Sequence, residues 1–159
     1  LMISNPLEQL DWYLEAGADW VSVHREALRD DEEVRQAIES IRLAGSHPAL
    51  TVKPDYPIEE LEPYIADLDM VLVMSVEPGF GGQKFIESTL ENVKGLADYK
   101  KENNMNFDIE IDGGVNADNL HRPLEAGANI IVAGSAIYGK EDIPAEIKKF
   151  KEIMDRYED

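Results

Sequence analysis

Five short apolar runs alternate with longer amphipathic stretches, and this alternation limits the folds open to the chain. The runs are rich in valine and isoleucine and are nearly continuous, as in parallel strands that are buried on both faces by helices. The predicted strands are Trp20–Val23, Ala49–Val52, Met70–Met74, Ile109–Ile111 and Ile130–Ala133. Helices are predicted over 5–16, 31–44, 58–67, 86–103, 116–126 and 143–157. Strands that alternate with helices in this way predict an α/β fold.

Glycine and proline positions support these boundaries. Gly17, Gly45 and Gly127 each follow a helical stretch, where a left-handed C-cap favours glycine. Pro6 and Pro144 stand near the first turns of two predicted helices. The 159 residues are expected to form a single domain, residues 1–159. A complete eight-unit barrel needs about 200–250 residues, so length alone favours an open, doubly wound sheet.

Charge and composition exclude several classes of function. The chain has 15 basic and 33 acidic residues, a net charge of −18, and binding to nucleic acid or to an anionic membrane depends on basic surfaces. No apolar run reaches the roughly 18 residues of a membrane-spanning helix. The chain has no cysteine, which excludes disulfides and thiolate sites and fits a reducing, cytoplasmic location. We therefore expect neither a nucleic-acid nor a membrane partner.

A glycine-rich loop follows the strand that ends at Met74. Three of the four residues from 79 to 82 are glycine, which lets backbone N–H groups approach a ligand closely. Such loops bind phosphate through backbone amides, which would suit a chain of strongly negative charge. A mobile surface loop is the alternative, but Pro78 and Phe80 favour a structured lid.

Other predicted strands also end in polar or small residues, at the edge where α/β active sites lie. Asp112 ends one strand before two glycines and is a candidate metal ligand, general base or helix N-cap. Gly134 and Ser135 follow the last strand, where an amide and a hydroxyl can donate to phosphate, although Ser135 would also serve as an N-cap. His24 ends the first strand and has either a structural or a functional role.

Taken together, these segments resemble the ribulose-phosphate 3-epimerase family of phosphate-binding TIM barrels. The resemblance is carried by Val23–Ala27, Val76–Phe85, Ile111–Val115 and Ala133–Ala136. Their order and spacing match the family over essentially the whole chain. The resemblance therefore implies a (β/α)8 TIM barrel that is incomplete here and runs from the end of strand 3 through helix 8. We prefer this fold to the open, doubly wound sheet that length alone favours.

The family's chemistry is the reversible epimerisation of D-ribulose 5-phosphate and D-xylulose 5-phosphate at C3, a reaction of the pentose phosphate pathway. The resemblance implies that one aspartate removes the C3 proton, which the neighbouring ketone acidifies, while a second delivers a proton to the opposite face. It also implies one divalent metal ion (Zn, Fe, Mn or Co) that stabilises the enediolate. Two alternatives stay open: a 3-epimerase of a ketohexose phosphate, and a non-catalytic phosphosugar-binding truncated barrel.

The resemblance also assigns individual residues. Asp112 matches an aspartate that is both metal ligand and acid/base. The positions that match the substrate loop and the phosphate cradle are Gly79, Phe80, Gly81, Gly82, Gly113, Gly114, Gly134 and Ser135. The candidates for lining the pocket are Met2, His24 and Met74. The implied partner is a small phosphosugar, and homo-oligomerisation is a further expectation.

One departure from the family pattern concerns the start of the chain. In the family a ligand histidine on strand 3 stands directly before a Leu-Met dipeptide, and two further ligands, one of them the second acid/base aspartate, precede it. This chain starts with Leu1 and Met2, so of four implied ligands only Asp112 is present. We therefore expect a fragment with little activity alone and two open sheet edges, which invite aggregation or pairing with another copy.

Overall fold

A computed structural model describes residues 1–157 of the chain. Within this range five strands form one parallel sheet, in which each strand pairs with the next one along the chain. The strands are β1 (Trp20–His24), β2 (His47–Val52), β3 (Met70–Met74), β4 (Asp108–Asp112) and β5 (Ile130–Val132). Because all strands run in the same direction, their carboxyl ends meet at one edge of the sheet.

Helices connect and flank these strands. They are α1 (Pro6–Glu15), α2 (Asp31–Leu43), α3 (Glu62–Ile65), α4 (Thr89–Glu102), α5 (His121–Ala126), α6 (Ser135–Tyr138) and α7 (Ile143–Met154). Short 3-10 turns cover Arg25–Ala27 and Ile58–Leu61. Along the helical layer α1 packs on α2, α4 on α5, and α5 on α7. The layer therefore begins with α1 and ends with α7.

The hydrophobic core lies between one face of the sheet and the helices. On this face Val23, Leu50, Val73 and Ile111 are completely buried. The helical layer contributes Leu10, Val34, Ala37, Ile41, Leu96 and Phe150, all of them buried. Burial of one valine or leucine side chain contributes about 1.5–3 kcal/mol, so this face accounts for much of the stability of the sheet.

The opposite face of the sheet carries mixed side chains. Cross-strand pairing places His24, Thr51, Leu72, Glu110 and Ile130 in one row across all five strands. The last three are only half-buried, whereas the core-face residues of β3 and β4, Val71, Val73, Ile109 and Ile111, are buried. Paired residues of a parallel sheet share a face, so this row corresponds to the inward-facing residues of a barrel.

The expected fold is confirmed: the chain is α/β, with a parallel five-stranded sheet consistent with part of a (β/α)8 barrel. Gly17, Gly45 and Gly127 have φ of 88°, 82° and 111°, as predicted for left-handed helix ends. Each predicted strand lies within two residues of an observed one. Within the described residues β1 and β5 each have one neighbouring strand, so both edges are open. The amine of Leu1 donates to the carbonyl of Ser22 beside β1.

Four predicted helices differ from the observed ones by two residues or more. The helix predicted over 86–103 begins at Thr89, whose side chain bonds the carbonyl of Ile86 in a turn. The helix predicted over 116–126 begins at His121, because the Asn116 side chain accepts from the amide of Asp118 and holds a turn instead. The stretch 58–67 divides into a 3-10 turn and α3, and α7 ends at Met154 rather than at 157. None of the described helices has the length and apolar character needed to cross a membrane.

Candidate functional site

A cavity of about 310 Å³ lies at the carboxyl ends of β3, β4 and β5. It brings together residues from three separate sequence segments and from the start of the chain. The predicted site residues that line it are Met2, Met74, Gly79, Phe80, Gly81, Gly82, Asp112, Gly113, Gly114, Gly134 and Ser135. Of the candidates, His24 alone lies outside this lining.

Asp112 is the last residue of β4 and lies between Met74 on β3 and Val132 on β5. The side chain is half-buried, and this burial raises the pKa of the Asp112 carboxyl above its ordinary value. Within the described residues no side chain donates a hydrogen bond to this carboxylate, so it is free to act on a ligand. A carboxylate with a raised pKa is a stronger base, which suits proton abstraction near neutral pH.

Gly113 and Gly114 allow the loop after β4 to press against the loop after β3. Both have left-handed backbones, with φ of 125° and 66°. A Cβ added at Gly113 would lie 2.5 Å from a methyl of Val76, and one at Gly114 would lie 2.5 Å from the backbone nitrogen of Phe85. Only glycine fits these two positions without displacing the neighbouring loop.

The loop after β3 is held by hydrogen bonds within the loop and by one to the loop after β4. The hydroxyl of buried Ser75 donates to the carbonyl of Gly113 at 2.7 Å. The side-chain amide of Gln83 donates to the carbonyls of Glu77 and Phe80, each at 2.7 Å. At the tip of this closed loop the Phe80 side chain is 82% exposed.

The segment after β5 forms the far wall of the cavity. Gly134 precedes α6 and Ser135 is its first residue, and both are exposed. Among residues 1–157 no lysine, arginine or histidine lines the cavity, and the ionisable side chains that do are Glu77 and Asp112. An anion in the cavity would therefore depend on backbone amides and the Ser135 hydroxyl rather than on basic side chains.

His24 lies at the same edge of the sheet but lines a neighbouring cavity of about 490 Å³, which shares Met2 with the first. Its Nδ1 atom is 3.5 Å from a carboxylate oxygen of Glu26, whose other oxygen accepts from the backbone amide of Lys53 at 2.7 Å. Burial opposes ionisation of Glu26, but the hydrogen bonds from His24 and Lys53 outweigh it and lower the pKa of this carboxyl. This arrangement gives His24 a structural partner between β1 and β2.

Sequence reasoning did not assign roles to three residues that shape the site. Glu77 lines the cavity as a second carboxylate, Gln83 closes the loop, and Ser75 joins that loop to the loop after β4. Glu77 and Gln83 belong to the glycine-rich segment, and their polar character was the available signal. Nothing in the pattern marked Ser75, because its role depends on contact with Gly113.

The metal ion implied by the resemblance needs more ligands than this cavity provides. Among residues 1–157 no group of three or more histidine, aspartate or glutamate side chains is placed to hold a metal ion. Asp112 is the one assigned ligand, and Glu77 is the other carboxylate on the cavity wall. The described residues therefore do not complete such a site by themselves, and we derive no reaction step through a metal.

A family model and several curated relatives match this chain. The model described as the ribulose-phosphate 3 epimerase family matches residues 1–138. Ribulose-phosphate 3-epimerase of Aquifex aeolicus is 38% identical over 154 residues, which cover 97% of this chain and 68% of that protein. The chloroplastic ribulose-5-phosphate-3-epimerase of Arabidopsis thaliana is 40% identical over 95% of this chain and 53% of that protein. The chain thus spans about half to two thirds of these relatives.

Solved structures show the same fold. The 3-hexulose-6-phosphate synthase of Salmonella typhimurium superposes with a TM-score of 0.66 over 99% of this chain and 71% of that one. Sequence identity is 19%, so this likeness concerns the fold alone.

Proposed function

The chain belongs to the ribulose-phosphate 3-epimerase family, and from this premise we propose that its cavity binds D-ribulose 5-phosphate and D-xylulose 5-phosphate and serves their interconversion at C3. The observation that supports the proposal is the meeting of Asp112 with two glycine segments and Ser135 around one cavity. These residues lie far apart in the sequence, and a sugar phosphate needs both an acid/base group and an anion cradle.

In the proposed reaction the Asp112 carboxylate takes the C3 proton of the substrate. The electrons of the C3–H bond move toward the neighbouring carbonyl and give an enediolate. A proton from solvent water added to the opposite face of C3 completes the epimerisation, and Asp112 releases its own proton to the hydroxide that remains. The raised pKa of Asp112 brings its proton affinity closer to that of a base working near neutral pH.

The phosphate group would be bound by backbone N–H groups of residues 79–82 and of the segment that starts at Gly134. The Ser135 hydroxyl is exposed and lines the cavity, so it would donate a further hydrogen bond. Hydrogen bonds to a charged group contribute about 1.5–3 kcal/mol each, enough to bind a phosphate without a lysine or arginine.

The test follows deuterium incorporation at C3 of ribulose 5-phosphate in heavy water, with zinc, iron, manganese or cobalt supplied in turn. The proposal expects incorporation by the chain, loss of it in Asp112→Asn, and binding of inorganic phosphate in that variant that is at least as tight as in the unchanged chain. Ser135→Ala is expected to weaken phosphate binding while exchange continues at saturating substrate. Wild-type exchange in Asp112→Asn would overturn the assignment of the base.

Phosphosugar binding without turnover is the second candidate function. It is favoured by the lack of a three-ligand metal group among residues 1–157. It predicts that the chain binds ribulose 5-phosphate with no deuterium incorporation under any metal and that Asp112→Asn binds it at least as well. A ketohexose phosphate in the same assay tests the longer substrate. We also propose a cytoplasmic location. One relative is chloroplastic, so the relatives do not decide the location, and cell fractionation is the test.

A further inference from the structure

Ser75 directly follows β3 and is completely buried between the two loops that form the cavity. Its N–H donates to the carbonyl of Asp112 at 2.8 Å, and its hydroxyl donates to the carbonyl of Gly113 at 2.7 Å. Its own carbonyl accepts from the N–H of Ile86 at 2.8 Å. One buried residue therefore binds the proposed base, the residue after that base and the far end of the glycine-rich loop.

The hydroxyl of Ser75 acts on a peptide unit that has unusual freedom to turn. The Gly113–Gly114 peptide joins two residues that have no Cβ, so the backbone itself permits either orientation of the peptide plane. The peptide is trans, and in a trans peptide the carbonyl and the N–H point in opposite directions. Because the hydroxyl binds the carbonyl of Gly113, the N–H of Gly114 points away from Ser75.

The direction of this peptide matters because of the charge of the cavity. Gly113 and Gly114 line the cavity, and among residues 1–157 no basic side chain does so. An anion there depends on backbone N–H groups, and a peptide turned the other way would offer it a carbonyl oxygen, which can only accept hydrogen bonds. The buried hydroxyl thus decides whether this part of the wall attracts or repels a phosphate.

The backbone of Ser75 connects the base to the glycine-rich loop. Residues 79–82 lie between Ser75 and Ile86 in the sequence, so the hydrogen bond between these two residues closes the loop at its base. The N–H of Ser75 at the same time holds the carbonyl of Asp112. A change in the loop on phosphate binding is therefore passed to Asp112 through a single residue.

On the basis of the proposed function, we propose that Ser75 is a positioning residue for the epimerisation. Its hydroxyl directs the N–H of Gly114 toward the phosphate, and its backbone keeps Asp112 in register with the glycine-rich loop. Ser75 itself contacts neither the substrate nor the transferred proton. Loss of the hydroxyl should therefore affect phosphate affinity and proton abstraction together, whereas Ser135, which would donate to the phosphate directly, should affect affinity alone.

Ser75→Ala tests both effects in the same chain. Its binding of inorganic phosphate in calorimetric titrations should weaken by about tenfold, as for the loss of one hydrogen bond to a charged group. Deuterium incorporation at C3 should also slow at saturating ribulose 5-phosphate, which is not expected of Ser135→Ala. Ser75→Thr keeps the hydroxyl and should restore both properties. Incorporation at the unchanged rate in Ser75→Ala at saturation would overturn the link to Asp112.

Ser46→Ala is the matched control for a purely structural effect. The hydroxyl of Ser46 also donates to a backbone carbonyl, that of Ala18, at 2.7 Å, but at the amino end of the strands. Both alanine variants lose the same kind of bond and should lower the urea midpoint to a similar extent. Phosphate affinity and incorporation should stay unchanged in Ser46→Ala. If Ser75→Ala binds phosphate as tightly as this control, its hydroxyl does not position the peptide.

Amide hydrogen exchange, measured with and without inorganic phosphate, separates the role of Ser75 from the reaction. Phosphate should slow exchange over residues 79–86 and 112–115 of the unchanged chain, and in Ser75→Ala the slowing over 112–115 should be lost. Equal slowing of both segments in the variant would refute the coupling. If the unchanged chain binds phosphate but shows no incorporation under any metal, the reaction is refuted and this measurement alone decides the role of Ser75. A chain that binds no phosphate would refute the proposed function and the positioning role together.

Discussion

Gly114→Ala is expected to destabilise the chain by forcing apart the two loops that form the cavity. The left-handed backbone at this position, with φ of 66°, costs an alanine about 1–2 kcal/mol. The new methyl group would also lie 2.5 Å from the nitrogen and 2.8 Å from the Cα atom of Phe85. These are backbone atoms that cannot rotate away, and overpacking of this kind adds about 1–3 kcal/mol.

The expected total is therefore about 2–5 kcal/mol, a large part of the 5–15 kcal/mol that is usual for a domain. Urea unfolding measures it as a lower midpoint. Gly81→Ala is the matched control, because Gly81 lies in the same cavity wall with no atom within 4 Å of an added Cβ and no left-handed φ. If both variants unfold at the same midpoint, the close approach of the loops is not a source of stability.

A double-mutant cycle localises the effect. An alanine at Gly113 would meet the methyl groups of Val76 at 2.5 and 2.8 Å rather than backbone atoms. Val76→Ala removes those methyl groups, so it should rescue part of the loss in Gly113→Ala and none of the loss in Gly114→Ala. Equal rescue of both variants would show that the clash is not with Val76.

Three further predictions concern charge and hydrogen bonding. Burial raises the pKa of Asp112 and, together with the Asp112 charge, that of Glu110, so the folded state binds their protons more tightly. Protonation of these two carboxyls stabilises the fold fully below the ordinary carboxyl pKa, and this stabilisation is lost as pH rises through the raised pKa. Asp112→Asn and Glu110→Gln cannot ionise, so they should raise the urea midpoint at neutral pH and leave it unchanged in acid. Glu77→Gln removes one of two carboxylates from the cavity wall and should tighten inorganic phosphate binding up to about fivefold, less at high salt, in calorimetric titrations; unchanged affinity would refute it. Asn129→Ala removes the side-chain oxygen that accepts from the amide of Ile109 at 2.7 Å and the amide that donates to Asp108 at 2.7 Å, and it should cost about 1–3 kcal/mol in urea unfolding. Asn129→Asp keeps the oxygen but sets a carboxylate against Asp108, so it should cost less than alanine only in acid, where the carboxyls are protonated.

Features that depend on local pattern were predictable from the sequence. A continuous run such as Met70–Met74 becomes a buried central strand because its apolar side chains point to both faces. Gly127 ends its helix in the left-handed region, as glycine after a helical stretch predicts. Asp112 lies at the cavity because it ends a strand, and parallel strands end at one edge.

Features that depend on contacts between distant residues were not predictable in this way. The fit of Gly114 against Phe85 joins two loops that are adjacent only after β3 and β4 pair. The position of His24 at the carboxyl edge of the sheet did not reveal that it lies beside a different cavity, where it pairs with Glu26, which accepts from the amide of Lys53. The start of the helix at His121 depends on side-chain bonding by Asn116, which periodicity does not register.

The alternating environment of β4 has a consequence for engineering. Ile109 and Ile111 face the buried core, whereas the alternate residues Asp108, Glu110 and Asp112 are half-buried on the other face. Adjacent residues of β4 therefore have different roles: Ile111 packs in the hydrophobic core, and Asp112 lines the cavity. A mutant library confined to Glu110 and its cross-strand neighbours Leu72 and Ile130 would vary the inner face of the sheet next to the cavity. Ile109 and Ile111 would stay unchanged, so the hydrophobic core and the stability that it provides would be kept.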